Sequence, residues 1–279
     1  MNLKILDTGY CQSIEKIAIK GGRFKKIQFP SIAGVIKHPK HGIILFDTGY
    51  SSRLFEASQK FPARLYSIIL PPVPNSINSV IDQLSDMGIG AEEVQYIIVS
   101  HFHADHSCGL KDFPNARFIC SSAAFNHLVS LKNEFQAVKE AILLDLIPSD
   151  IEDKIWLIDE DTTISQIHDQ HLGILYDIFG DKSVLINDLP GHLTGQIGAI
   201  INANNNQYFL IADACWLSES YKHNILPSSI ARLIISDFNA YKQTIQKIHL
   251  FHKANKLTHI IPTHCSKTVK HHVLETQNF

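Results

Sequence analysis

The six residues His101-Phe102-His103-Ala104-Asp105-His106 bring three imidazoles and a carboxylate together. They follow Tyr96-Ile97-Ile98-Val99, an apolar run whose length and β-branched content read as a buried strand. Neutral imidazole nitrogens and a carboxylate oxygen are the ligands that a borderline divalent metal such as Zn2+ prefers. His101 and His103 stand at i and i+2, so extended backbone points them the same way. Asp105 and His106 come where the chain turns and can face a second metal. Four ligands do not complete two metal shells, so other strand ends bearing His or Asp become candidates. His192 lies in Asp188-Leu189-Pro190-Gly191-His192-Leu193-Thr194-Gly195, a turn between strands. Asp213 follows the run Tyr208-Phe209-Leu210-Ile211-Ala212, and His264 follows Ile260-Ile261-Pro262-Thr263.

The elements that must position these residues are short. Residues 31–47 read as a hairpin around His38-Pro39-Lys40-His41, and the N-terminal Met1-Asn2-Leu3-Lys4-Ile5-Leu6-Asp7 as a further strand. Ser76 to Met87 carries apolar residues at helical spacing and is stopped by Gly88-Ile89-Gly90. Cys108-Gly109-Leu110 reads as a helix start, 117–120 as a strand and 121–147 as helical. Strands are expected at 154–158, 183–187, 197–202, 207–212 and 257–262, and a helix at 236–254. Strands and helices mix without strict alternation, which points to an α+β or layered arrangement. Residues 1–279 read as one domain, because no linker, repeat or low-complexity tract interrupts them. Residues 51–75 combine Phe55, Phe61, Leu65, Tyr66, Ile68, Ile69 and Leu70 with the stiffening Pro71, Pro72 and Pro74. They are expected to act as a lid over the metal edge, with ordinary core packing as the alternative.

Composition narrows the function classes. A net charge of −2 on 279 residues gives no field favouring nucleic acid or anionic membrane. No apolar run is long enough to span a bilayer, and the N-terminus lacks the apolar core of a signal peptide. Cys11, Cys108, Cys120, Cys215 and Cys265 are odd in number and form no C-x-x-C pair, which favours buried thiols in a reducing cytoplasm. His168-Asp169-Gln170-His171 reads as exposed loop and His271-His272 as a solvated tail. His249, His252 and His259 are assigned to a helix face and a strand start.

His101-x-His103-x-Asp105-His106, followed in order by His192, Asp213 and His264, resembles the metallo-β-lactamase superfamily. Asp47-Thr48-Gly49 matches its early acidic motif. The resemblance runs from about residue 30 to 265 and implies a four-layer αββα sandwich with two metals at one edge. It implies His101, His103 and His192 on the first metal, Asp105, His106 and His264 on the second, and Asp213 bridging both. Asp47 would sit behind the ligands and orient them; it could equally cap a helix beginning near Ser51. The ions are expected to be Zn, with Fe or Mn as alternatives. Two such cations lower the pKa of a shared water toward about 7, so hydroxide attack on a lactone, ester or thioester is the expected chemistry. Asp105 would be the proton carrier.

Pro190-Gly191-His192 and Asp213-Ala214-Cys215-Trp216 are most similar to the N-acyl-homoserine lactonases, in which the position of Trp216 is usually tyrosine. Trp216 and Phe102 are the candidate substrate contacts. A tryptophan offers a broad apolar face and one N–H donor, so flatter or aromatic acyl groups are expected to suit it; packing under the sheet is its alternative role. The expected partner is a small acyl compound, with a homodimer open as an assembly. Two other readings stand: a metal-binding effector of the same fold, and a glyoxalase II-like thioesterase.

Overall fold

The computed structural model describes residues 1–276. Two six-stranded sheets make up its centre. The first runs β1 (Asn2–Ile14), β2 (Lys26–His38), β3 (Gly42–Phe46), β4 (Val94–Ile98), β5 (Arg117–Cys120) and β6 (Ile155–Leu157), adjacent in that order. β1, β2 and β3 pair antiparallel, and β3 to β6 are parallel. The second sheet contains β7 (Ser165–Asp169), β8 (Gly173–Asp177), β9 (Val184–Asp188), β10 (Ile197–Ala203), β11 (Asn206–Ala212) and β12 (His259–Pro262). Its strands are antiparallel except for the parallel pair β11 and β12.

The strand sequences account for the layering. Ile43-Ile44-Leu45-Phe46 and Ile97-Ile98 are continuously apolar because both faces of a parallel strand are covered. Between the sheets, Leu3, Ile5 and Ile44 meet Ile186, Ala199 and Leu210. On the outer face of the first sheet, Leu45, Ile97 and Phe118 pack with the helical residues Leu84 and Leu128. On the outer face of the second, Phe209 and Ile211 pack with Tyr241, Ile245 and Ile248. Those three belong to the helix Phe238–Ala254, whose buried residues recur at helical spacing and whose N-terminus is capped by the Asp237 side chain. The four layers are therefore helices, sheet, sheet, helices, as the resemblance implied.

Several elements differ from expectation. Residues 121–147 are not one helix but two, Ser122–Ser130 and Glu134–Lys139, followed by a single turn at Leu144–Leu146. Asn133 starts the second helix afresh by accepting a hydrogen bond from Gln136 N–H. The helix in the histidine motif begins at Ala104, before Cys108. His168 is an exposed residue of the edge strand β7, and His171 lies in the β7–β8 turn. His271 and His272 sit on the helix Ser266–Glu275, and His272 is buried rather than solvated.

Strand direction decides where the motifs meet. The C-terminal ends of β3, β4, β9, β11 and β12 all reach one edge of the sandwich, where the loops carrying Asp47, the histidine motif, His192, Asp213 and His264 leave them. Asp47 and Ala212, at two of these exits, adopt φ of 56° and 46°. That left-handed conformation strains a non-glycine residue and is characteristic of sites held by their surroundings. The turn bearing His192 needs Gly191: its φ is 128°, and a Cβ there would lie 2.2 Å from Tyr241 N.

Candidate metal centre

The structure brings the seven predicted ligands together at this edge. His101, His106, His192, Asp213 and His264 are buried, His103 is nearly so, and Asp105 keeps 15% of its side chain exposed. One atom from each of His101, His103 and His192 falls within a 4.8 Å cluster, as does one from each of Asp105, His106 and His264. In the first group, His103 Nδ1 is 3.0 Å from His101 Nε2 and 3.1 Å from His192 Nε2. Asp213 lies between the groups. Its Oδ2 is 3.1 Å from both His192 Nε2 and His264 Nε2, and its Oδ1 is 3.3 Å from His106 Nε2. His264 Nε2 is also 3.5 Å from Asp105 Oδ2.

The outward nitrogens fix which way the lone pairs face. His264 Nδ1 lies 2.6 Å from the Pro30 carbonyl, which can only accept, so this nitrogen carries the proton of the neutral ring. His106 Nδ1 likewise donates to Asp47 Oδ2 at 2.8 Å. Ser100 Oγ donates to the same carboxylate at 2.7 Å and accepts from His101 Nδ1 at 2.9 Å. Asp47 thus orients His106 directly and His101 through Ser100. Its other oxygen is bound by Ser100 N–H at 2.7 Å. Asp47 is not a helix cap. The inner Nε2 atoms of His101, His106 and His264 are left with lone pairs turned into the site.

This donor set fits cations. Imidazole lone pairs about 3 Å apart repel unless something positive lies between them, and two nitrogens on one tetrahedral Zn2+ would be about 3.3 Å apart. His106 Nε2 and Asp213 Oδ1, both turned into the cluster, are buried without a hydrogen-bond partner. Three carboxylates, Asp47, Asp105 and Asp213, share the region, a concentration of buried charge that needs compensation. The imidazoles respond to it unequally. Burial and the adjoining imidazoles push His101 and His103 well below the ordinary histidine range. Burial opposes charge on His106 too, yet Asp47, Asp105 and Asp213 outweigh it and raise His106 well above that range. His264 is raised against burial chiefly by Asp213.

Beside this cluster lies a cavity of about 510 Å³, walled by Tyr66, Ile69, Leu70, Trp216, Leu233 and Ile234. Of the expected lid, Tyr66, Ile69 and Leu70 line this cavity. Trp216 lines the cavity and also packs with Tyr241 in the outer core. Its N–H is occupied by Asp213 Oδ2 at 3.0 Å. Phe102 does not touch the cavity, which corrects its assignment as a substrate contact. Alternation along extended backbone turns it opposite to His101 and His103, into the core with Leu110 and Phe113. Ser100 and the Pro30 carbonyl were not anticipated. A hydroxyl immediately before the motif was the one local signal for Ser100, whereas the Pro30 contact spans 234 positions and left none.

Comparison with known proteins agrees with this geometry. A family model described as the metallo-beta-lactamase superfamily matches residues 28–214. N-acyl homoserine lactonase AttM of Rhizobium radiobacter is 23% identical over 164 residues, covering 58% of this chain and 57% of its own length. The chain thus matches little more than half of that relative. N-acyl homoserine lactonase AiiB of Agrobacterium fabrum is 21% identical over 267 residues, covering 92% of this chain and 91% of its own. Among solved structures, a B. thuringiensis AiiA mutant with N-decanoyl-L-homoserine at its active site superposes with a TM-score of 0.71 at 17% identity, covering 97% of both chains. The dizinc quorum-quenching lactonase AidC gives a TM-score of 0.64 at 16% identity, covering 95% of this chain and 87% of its own. With the matched model spanning most of the sandwich and the layers arranged as described, the chain belongs to the metallo-β-lactamase superfamily.

Proposed function

We propose that the protein is a dinuclear metal-dependent hydrolase of a small, partly hydrophobic acyl compound, with a lactone, ester or thioester as the reacting bond. The observation that carries this reading is two His/Asp groups on either side of Asp213, beside an apolar cavity. His101, His103 and His192 would hold one divalent ion, and Asp105, His106 and His264 the other, with Asp213 between them. Zn2+ suits this nitrogen and oxygen set best. Such a pair of ions would supply Lewis acidity and a water acidic enough to ionise near neutral pH.

The chain's own residues do the rest. Asp47 and Ser100 hold the His106 and His101 rings so that their lone pairs face inward. Burial of the imidazoles excludes competing water. Asp105 is the ligand with an exposed edge toward the cavity, so its carboxylate would take the proton of the attacking water and return it to the leaving oxygen or sulfur. Water oxygen bonds the acyl carbon as the bond to the leaving group breaks. Ile69, Leu233 and Ile234 would receive the acyl chain. Their strong exposure at the mouth, 72%, 86% and 55%, suits a chain that extends toward solvent. The lid role of residues 51–75 belongs to this proposal.

All five cysteines are free and buried, in keeping with a cytoplasmic setting. Among the described residues, no helix is long and apolar enough to cross a membrane. The test is turnover: purified protein with acyl-homoserine lactones, p-nitrophenyl esters and acyl-thioesters, with and without chelator. Chelator-sensitive hydrolysis of at least one class is expected. No turnover by protein carrying its metals would favour the binding-effector alternative.

A further inference from the structure

We infer that His259, His272 and Glu275 form a second, separate cation site, suited to Zn2+, that ties β12 to the helix Ser266–Glu275. The two elements meet at the end of β12 opposite to His264, so this group shares no ligand with the buried centre. One ligand atom from each of the three residues lies within 4.8 Å of the others. His272 Nδ1 is 2.6 Å and His259 Nδ1 3.9 Å from Glu275 Oε2. Ligands on a tetrahedral zinc with bonds of about 2.1 Å stand about 3.4 Å apart. The two separations bracket that value, and small side-chain rotations would equalise them. His271, one helical turn before Glu275, brings a further imidazole to 3.9 Å from the same oxygen.

The rings are already held. His259 stacks on Tyr208 with centroids 5.1 Å apart, and His272 meets the same tyrosine edge-on at 6.1 Å. This packing reduces the ordering that a metal would have to impose. His259, His271 and His272 line a concavity of about 330 Å³, so a cation can enter from solvent. Lys222 and Lys267 line it too and set an opposing charge. The site is therefore expected to be weaker than the buried centre. Its effect would be structural. The helix it fastens also packs on β1, and Thr276, directly after the helix, accepts from Ile5 N–H at 2.9 Å, so a bound ion would brace that contact as well.

The test is calorimetric titration with ZnCl2 of the full chain whose buried centre has first been saturated. Wild type should bind one further equivalent and melt at a higher temperature with it. His259→Gln and Glu275→Gln should each lose that equivalent and its thermal shift, while retaining the tightly held metal and a native circular-dichroism spectrum. His223→Gln is the surface-histidine control and should behave as wild type. Absence of the further equivalent, or its persistence in both variants, would overturn the site. The difference between wild type and variants is read independently of how many ions the buried centre holds.

Discussion

Ser100→Ala isolates the support behind the ligands without removing a ligand. In the folded chain the Ser100 hydroxyl donates to Asp47 Oδ2 and accepts from His101 Nδ1. Alanine leaves Asp47 its bonds from Ser100 N–H and from His106, but deprives His101 Nδ1–H of its acceptor. A buried donor without a partner costs about 1–3 kcal/mol, and a lost hydrogen bond to a carboxylate about 1.5–3 kcal/mol. The two costs share one hydroxyl, so the metal-free chain should lose about 2–4 kcal/mol. Freed to turn, the His101 ring should also weaken metal affinity by about 10–100-fold, the usual effect of removing a ligand's outer partner. Urea unfolding of the stripped protein gives the first quantity, and competition with a chromophoric chelator the second. A stability change below about 0.5 kcal/mol, within the range of an ordinary surface substitution, together with unchanged affinity, would refute the relay from Asp47 through Ser100.

Asp105→Asn should lower kcat by about 10²–10⁴-fold, the range of general acid–base work; activity within a few-fold of wild type, with metals still bound by elemental analysis, would deny the carboxylate a chemical role. Trp216→Tyr should raise kcat/KM for acyl-homoserine lactones relative to matched aryl esters, and an unchanged ratio in a stable variant would assign Trp216 to packing and to its bond with Asp213 alone. Cys11 lines the cavity, yet burial, with Asp105 nearby, pushes its thiol up to about 12. Its thiolate fraction at pH 8 is then on the order of 10⁻⁴, so iodoacetamide should leave Cys11 unmodified in the folded chain by peptide mass mapping; rapid labelling there would contradict the burial.

Legibility followed the range of the interaction. The cluster from His101 to His106 is local, and its setting after an apolar run was enough to mark it. Asp213 and His264 were readable because each follows a strand that the apolar pattern also marks, and His192 because it lies in the turn after one. Phe102 neighbours the ligands in sequence, but alternation along the strand puts its side chain on the opposite side of the backbone, in the core. The break at Asn133 was hidden because apolar residues continue on both sides of it, and only the cap shows that a new helix begins. β7 escaped notice because an edge strand with Gln166, His168 and Asp169 lacks the apolar run that marked the central strands. The Pro30 carbonyl behind His264 comes from β2, and contacts of that span leave no mark on local sequence.

The central claim is that one buried centre holds two ions about Asp213. The measurement that addresses it most directly is metal content by elemental analysis of gently purified, reconstituted protein. Using His259→Gln keeps the proposed surface site from adding to the count. Two equivalents per chain, both lost on chelation together with activity, are predicted. A persistent single equivalent accompanied by full activity would contradict the dinuclear account.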